Sequence, residues 1–321
     1  MKTDVPAFIQ EIAKTSQDMW QKGWAEANGG NISLRLKPDK MRGSPALKPK
    51  SDWAPLAASL PTLGGERFLV TGTGRYLRNI AVFPEKNIGV IELDRKGARW
   101  RMLWGFEPAG RPTSELEAHL RTHAVIKETS GDKLHAVIHT HATHLIALTY
   151  ALKLTSETLT KLLWQSHAEC IVGFPAGVEF IPWMMAGSSE IAAATAEALK
   201  RRTLAVWQHH GVFGVGRNLD AAFGIIDMAE KAAQIHLLAR AAGGFACRLS
   251  TDQLRAIARN FGVTADKAAL AANTATLFPG ACTGATEDVH RLKGALRQAG
   301  RRPVSLEDMK AVIRRRGGTQ P

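Results

Sequence analysis

Apolar positions follow two different patterns along the chain. In residues 5–27 the apolar side chains, among them Phe8, Ile12 and Met19, recur at helical spacing, which predicts an amphipathic helix. Similar spacing predicts helices at 145–154, 156–165, 188–200 and 219–242 and a helix–turn–helix at 251–272. Short apolar or alternating runs predict strands at 32–36, 68–70, 88–93, 100–103, 136–138 and 204–207. Residues 37–66, rich in proline, lysine and serine, predict a long surface loop.

The strand predicted at 136–138 runs directly into two histidines that are separated by one residue. Alternate side chains of an extended strand project on the same side, so His139 and His141 can share one ion. Neutral imidazole is a ligand of zinc and related metals, and a catalytic site needs three protein ligands with one position open. His210, which follows the apolar run 204–207, is the best candidate for the third ligand. The alternative is a pair of hydrogen-bonded histidines at a strand end.

Two turns have the composition of anion-binding loops. Asn28-Gly29-Gly30-Asn31 precedes a predicted strand, and Thr71-Gly72-Thr73-Gly74 follows one. Each can present backbone N–H groups and polar side chains to an anion. The second lacks the third glycine of a dinucleotide-binding fingerprint and the Gly-Lys-Ser/Thr of a P-loop. From the residues alone, a simple helix-to-strand turn explains the first one better than a binding role.

A candidate helix start carries the carboxylate of Glu115. Pro112-Thr113-Ser114-Glu115 combines a hydroxyl residue able to cap a helix with an acidic residue in the first turn. Glu115, His119 and His123 follow one another at four-residue spacing and would share one helical face. By itself, capping is the simplest role for Glu115, and we interpret the two histidines as structural.

Composition and charge narrow the classes of protein. A chain of 321 residues that is 45% hydrophobic can bury a large core. The N-terminus lacks the apolar core of a signal peptide, no run approaches about 18 apolar residues, and the three cysteines show no metal or disulfide spacing. We therefore expect a cytoplasmic protein with no membrane partner. The lysines and arginines behind the net charge of +13 are scattered and form no nucleic-acid-binding motif, so we expect no nucleic-acid partner. A phosphorylated substrate would also favour a positively charged protein.

Five motifs occur in an order that resembles one known family. They are Asn28-Gly29-Gly30-Asn31-Ile32-Ser33, Thr71-Gly72-Thr73-Gly74, Pro112-Thr113-Ser114-Glu115, His139-Thr140-His141 and His210-Gly211-Val212-Phe213. Their order is similar to that of the class II aldolase/adducin family, and in particular of its sugar-phosphate aldolases of the fuculose/rhamnulose type. The segments 20–26 and 174–178 favour the rhamnulose-phosphate branch, and the resemblance covers roughly residues 5–270.

The resemblance implies an α/β fold class. The expected fold is a single three-layer α/β/α domain of the class II aldolase/adducin type, with a central mixed β-sheet flanked by helices. This domain would span residues 1–272, followed by a basic C-terminal extension, 273–321, that is helical or partly mobile. The resemblance also implies a ring-shaped homotetramer with active sites between subunits and one divalent metal, expected to be zinc, in each subunit.

The implied reaction is the reversible cleavage of L-rhamnulose 1-phosphate into dihydroxyacetone phosphate and L-lactaldehyde, with a metal stabilising the enediolate. The resemblance assigns His139, His141 and His210 to the metal. It assigns Glu115 to proton transfer on the enediolate carbon and Glu169 to a second acid/base role in the site of a neighbouring subunit. The residues implied in binding the substrate and its phosphate are Asn28, Gly30, Asn31, Thr73, Gly74, Thr113 and Ser114.

Other functions of the same family stay open at this point. An aldolase acting on L-fuculose 1-phosphate and a pentulose-5-phosphate 4-epimerase would share the motifs. A metal-free adducin-like binding module is a third alternative, and the intact histidines argue against it. His209 stands where the resembling aldolases lead us to expect an aromatic residue, so it could compete for the metal or stack on a neighbour.

Overall fold

The computed structural model describes residues 6–37 and 47–277, which belong to one compact unit ending at Leu277. In chain order its strands are β1 (Asn31–Leu36), β2 (Ala54–Pro55), β3 (Arg67–Thr71), β4 (Ile88–Leu93), β5 (Arg99–Gly105), β6 (Ala136–Thr140), β7 (Glu179–Ile181), β8 (Leu204–Trp207) and β9 (Gly211–Gly216). Its α-helices are α1 (Ala7–Gln21), α2 (Pro84–Asn87), α3 (Leu116–Thr129), α4 (Thr143–Ala151), α5 (Ser156–Ser166), α6 (Glu169–Gly173), α7 (Ser189–Ala198), α8 (Leu219–Ala241), α9 (Thr251–Asn260) and α10 (Lys267–Ala271).

These strands form one mixed sheet in the order β2-β5-β4-β3-β1-β6-β9-β8-β7. Neighbouring strands are antiparallel except for β7 and β8, which are parallel. β1 lies between β3 and β6, and all six of its residues are buried, including those that the alternating pattern predicts to face solvent. On one face, α3 covers the strand, since His119 and His123 of that helix contact Ser33.

Helices on both faces confirm the three-layer α/β/α fold class. On one face, α3 and α7 pack against Val137, Phe213 and Val215 of the central strands. On the other face, α8 packs on β6 and β9, where Gly214 leaves room for Ile226. The helices α1, α4 and α5 pack against α8 and complete that layer. None of the helices in the described ranges combines the length and the apolar composition needed to cross a membrane.

Some predicted elements differ in their bounds. The first helix, α1, ends at Gln21, because Gly23 adopts a left-handed φ of 74°. The stretch predicted as a surface loop contains β2, which pairs with β5 at the edge of the sheet, and residues 38–46 lie outside the described part. Glu115 precedes α3 instead of lying in its first turn, and no side chain caps that helix.

The described part of the chain continues a little beyond the predicted domain boundary at residue 272. Thr274 is buried, and its hydroxyl donates to Gln165 Oε1 at 2.9 Å. Residues 278–321, most of the predicted basic extension, lie outside the described residues.

The strands β4 and β5 approach each other closely at Gly105, shortly before the chain reaches Thr113. Gly105, the last residue of β5, has φ +87°, and a Cβ there would lie 2.1 Å from Ile88 O in β4. Past this point the chain reaches Thr113, whose N–H donates to Thr71 O at the end of β3 at 2.9 Å. Any residue larger than glycine at 105 would therefore push β4 and β5 apart.

We expect Gly105→Ala to lower the free energy of unfolding by about 2 kcal/mol more than Gly65→Ala. Gly65 is the matched control, because its φ of +76° is also left-handed but no atom lies within 4 Å of a Cβ there. Only the variant at 105 adds a clash with backbone to the cost of the left-handed conformation. Urea unfolding of both variants measures the difference, and equal losses would contradict the proposed packing.

Candidate active site

His139 is a buried residue of the central strand β6. The register places it opposite Asn31 of β1, and its ring stacks on Phe213 with centroids 4.6 Å apart. Its Nδ1–H donates to Val212 O at 3.2 Å. That leaves Nε2 buried with no hydrogen-bond partner among the described residues. An unpartnered lone pair is costly to bury, and it is the atom that a metal ion would use.

His141 and His210 complete a group of three imidazoles. His141 follows the end of β6, and His210 lies in the turn between β8 and β9. The Nδ1–H of His141 donates to Glu26 Oε1 at 2.6 Å, so its Nε2 carries the lone pair. One ligand atom from each histidine lies within 4.8 Å of the other two. The structure thus brings the three predicted ligands together, and no second group of this kind occurs in the described ranges.

The protonation states of these rings suit a metal site. Burial lowers the pKa of His139 well below its ordinary value and lowers the pKa of His210 to about 4. The neighbouring imidazoles act in the same direction in both cases. Both rings are therefore neutral at pH 7, which is the form that binds a metal. Three imidazole nitrogens fit zinc and other divalent ions of the first transition row.

Two glycines pack directly against the ligand rings. A Cβ at Gly29 would lie 2.9 Å from the His141 ring, and one at Gly211 would lie 3.0 Å from His139 Cε1. The Cβ at Gly211 would also lie only 2.5 Å from Thr140 O. These positions explain physically why glycine occurs in both motifs: any side chain would displace a histidine ring of the cluster or the backbone beside it.

Glu115 places a carboxylate beside the three histidines. Its Oε2 lies 3.6 Å from His139 Nε2 and accepts a hydrogen bond from Asn31 Nδ2 at 2.9 Å. Burial raises the pKa of the Glu115 carboxyl above its ordinary value, while Asn31 and His141 act in the opposite direction. A buried carboxylate next to a metal site, with a raised pKa, can give and take a proton near neutral pH.

One cavity of about 190 Å³ joins these groups. Its lining includes every predicted metal, substrate and phosphate residue, together with Glu115. The lining residues are Asn28, Gly29, Gly30, Asn31, Gly72, Thr73, Gly74, Thr113, Ser114, Glu115, His139, His141, Ala186 and His210. None of them is a lysine or an arginine, so the cavity combines a metal site with a wall of amide, hydroxyl and backbone groups.

Two predicted candidates lie apart from the cavity lining. Glu169 is exposed at the start of α6. The ring of His209 stacks on Tyr150, with centroids 4.0 Å apart, and its backbone N–H donates to Thr149 Oγ1 at 3.0 Å. Of the two roles that the sequence allows for His209, the structure therefore supports stacking.

Sequence reasoning missed two contacts of the site. Glu26, which holds His141, lies 115 positions away from it, and no motif or spacing in the sequence connects the two. His119, interpreted from sequence as structural, is fully buried and donates from Nε2 to Asn31 Oδ1. Its four-residue spacing from Glu115 was the available signal, since Glu115, just before α3, and His119, within α3, both contact Asn31 of β1.

Comparison with known sequences reveals close relatives. The model of the family described as Class II Aldolase and Adducin N-terminal domain matches residues 10–237. The chain is 41% identical over 269 residues to a rhamnulose-1-phosphate aldolase of Pectobacterium atrosepticum, covering 82% of this chain and 96% of that protein. It is 42% identical over 258 residues to the protein of the same name from Mannheimia succiniciproducens, covering 80% and 95%.

Solved structures share the fold. A sugar-phosphate aldolase from Thermotoga maritima superposes with a TM-score of 0.63 at 29% identity, covering 74% of this chain and 97% of that one. An L-fuculose 1-phosphate aldolase superposes with a TM-score of 0.53 at 21% identity, covering 80% and 97%, and at this identity it shows the fold alone. Because the family match spans most of the chain and the relatives align along nearly their whole length, the chain belongs to the class II aldolase and adducin family.

Proposed function

We propose that this protein is a zinc-dependent aldolase that reversibly cleaves L-rhamnulose 1-phosphate into dihydroxyacetone phosphate and L-lactaldehyde. Its relatives from Pectobacterium atrosepticum and Mannheimia succiniciproducens are rhamnulose-1-phosphate aldolases, which supports the choice of substrate. The observation that carries the proposal is the meeting of three histidine ligands and the buried carboxylate of Glu115 in a single cavity. A metal-free binding module would have no use for this combination.

The reaction needs a place for charge and a group that moves a proton. A divalent ion held by the three histidines supplies Lewis-acid stabilisation of the negative charge that develops on the substrate's carbonyl oxygen. In the cleavage direction the C3–C4 bond breaks and its electron pair passes to C3. We assign the proton transfer at C3 to Glu115, because it lies beside His139 and its raised pKa suits both donation and acceptance of a proton.

We assign the substrate phosphate to the amide, hydroxyl and backbone groups of the cavity wall. The cavity lining has no lysine or arginine that could bind it. Gly74, with φ +67°, belongs to a tight turn, and such turns present backbone N–H groups to an anion. Hydroxyl and amide side chains from three separate segments surround it. The residues that we assign to the phosphate and to the other substrate oxygens are Asn28, Gly30, Asn31, Thr73, Gly74, Thr113 and Ser114.

The position of Glu169 supports a role in the site of another subunit. Its side chain is exposed, and it lies outside the cavity lining of its own chain. We propose a homotetramer in which Glu169 exchanges the proton of the C4 hydroxyl in a neighbouring site. We also propose a cytoplasmic location, where the thiols of Cys170 and Cys247, which form no disulfide, would stay reduced.

We expect the purified, zinc-loaded protein to release dihydroxyacetone phosphate from L-rhamnulose 1-phosphate faster than from L-fuculose 1-phosphate. Glu115→Gln should keep its zinc and lower kcat by at least about a hundredfold, because proton transfer by a positioned side chain contributes about 10²–10⁴-fold. A coupled assay for dihydroxyacetone phosphate, run beside metal analysis, measures both effects.

Three results of this assay would overturn parts of the proposal. Faster release from L-fuculose 1-phosphate would change the substrate. Turnover of a pentulose 5-phosphate without release of an aldehyde would identify an epimerase. Full activity of Glu115→Gln would remove Glu115 from its assigned role.

Zinc content should separate two adjacent histidines. We expect His210→Ala to purify with far less than one zinc ion per chain, since it removes one of three ligands, and His209→Ala to retain the metal. His209 is the matched control because it lies next in the chain but stacks on Tyr150. Elemental analysis of both variants measures the difference, and loss of zinc from His209→Ala alone would reverse the assignment.

Mixed oligomers should reveal whether Glu169 acts across an interface. Glu115→Ala and Glu169→Ala chains are each expected to be nearly inactive alone. Co-refolded together, they should regain activity, because some sites then combine an intact Glu115 from one chain with an intact Glu169 from another. If Glu169 acted within its own chain, the mixture would stay as inactive as its parts.

A further inference from the structure

A row of buried polar side chains leads from Glu115 into the layer between α3 and the sheet. Along α3 and the residue just before it, the row contains Glu115, His119 and His123, at intervals of four residues. On β1 it contains Asn31 and Ser33, at an interval of two. Four residues of helix rise about 6 Å and two residues of strand about 6.8 Å, so the two sets stay level with each other.

Hydrogen bonds join the row into one chain of contacts. Asn31 Nδ2 donates to Glu115 Oε2 at 2.9 Å, and Asn31 Oδ1 contacts His119 Nε2. Ser33 Oγ lies 2.6 Å from His119 Nδ1 and 2.8 Å from His123 Nε2. Ser33, His119 and His123 are all completely buried, so none of these groups has water as an alternative partner.

The contacts fix the direction of every hydrogen bond in the chain. Asn31 Oδ1 can only accept, so His119 must carry its proton on Nε2 and accept at Nδ1. The hydroxyl of Ser33 therefore donates its single proton to His119 Nδ1 and must accept a hydrogen bond from the Nε2–H of His123. Burial keeps both rings uncharged, with the pKa of His119 lowered to about 3.

The far end of the chain favours the same direction. In this arrangement His123 Nδ1 is a bare lone pair, buried without a hydrogen-bond partner in the described structure. The reverse direction would place an unpartnered N–H donor there, which is costly to bury. The charge of Arg35 also disfavours added positive charge on the His123 ring.

We propose that His119 is a positioning residue for Glu115, acting through Asn31, and that Ser33 and His123 hold it in the required tautomer. This inference rests on the proposed aldolase function. His119 fixes the Asn31 amide so that its N–H₂ group, and not its oxygen, faces the carboxylate. If the amide turned over, its oxygen would face Glu115 Oε2 and push the carboxylate away from His139.

A positioning role explains this series of hydrogen bonds better than proton conduction or simple packing does. An amide cannot pass a proton along as a hydroxyl or an imidazole can, so Asn31 interrupts any relay between His119 and Glu115. Apolar residues would fill the same space between α3 and β1 without the cost of burying polar atoms. The series of hydrogen bonds ends at the carboxylate of Glu115, the group assigned to proton transfer, so a role in holding that carboxylate accounts for the buried polar side chains.

Ser33→Ala tests the proposal with a small change. It removes the donor to His119 Nδ1, so the tautomer of His119 is no longer fixed. We expect kcat on L-rhamnulose 1-phosphate to fall about ten- to a hundredfold, which is typical for loss of an outer hydrogen-bond partner, with KM and bound zinc little changed. Equal kcat in Ser33→Ala and the unmodified protein would overturn the proposal.

Thr160→Val is the matched control for loss of a buried hydroxyl. Thr160 is also fully buried and makes two hydrogen bonds, to Val178 O and from Val178 N, at a position outside the cavity lining. Both variants should lower the thermal midpoint, but only Ser33→Ala should lower kcat. A similar loss of kcat in the control would reduce the role of Ser33 to stability.

A second pair of variants tests whether a hydrogen-bond donor is needed at position 119. Glutamine and methionine have similar length, and only glutamine can donate to Asn31 Oδ1. We expect His119→Gln to retain more kcat than His119→Met. Equal activity in the two would show that the donor at this position has no part in the reaction.

Nitrogen-15 NMR of histidine-labelled protein separates this inference from the aldolase proposal. We expect both His119 and His123 to show the neutral form protonated on Nε2, and the signal of His119 to change in Ser33→Ala. If the unmodified protein cleaved no ketose phosphate while these signals appeared, the function would be wrong and the hydrogen-bond chain correct. A His119 protonated on Nδ1 would overturn the chain whatever the activity.

Discussion

The pairing of β1 with β6 is the constraint on which the site depends. Its register sets Asn31 opposite His139, so the amide that holds Glu115 and one of the three clustered histidines lie on adjacent strands. A slip of β1 by one residue would turn Asn31 to the opposite face of the sheet. All residues of both strands are buried, so any slip would also misplace core residues. Stability of the core and geometry of the site are thus maintained by the same contacts.

Local rules were sufficient to predict much of this molecule. The alternation of a strand aligned His139 with His141, and the apolar run 204–207 led to His210 as the third candidate; the structure brings the three together. Helical spacing predicted α5, α7 and α8 to within a few residues. Where the chain carries a mixed pattern the prediction was less exact, as at β1, which is fully buried and whose Ser33 contacts the distant helix α3.

Features that depend on distant contacts could not be predicted. The bond from His141 to Glu26 spans 115 positions, and the bond from His119 to Asn31 spans 88. A histidine at helical spacing has the same sequence signature whether it fills space or orients a neighbouring amide.

The cavity lining contains no lysine or arginine, although the whole chain carries a net charge of +13. Oriented N–H and O–H dipoles act on a phosphate at contact distance, whereas dispersed surface charge acts over a Debye length of about 8 Å in physiological salt. Dissolved ions screen the dispersed surface charge far more than they screen the N–H and O–H dipoles that touch the phosphate. Ionic strength would therefore change how fast a phosphorylated sugar arrives at the cavity more than how firmly it is held there.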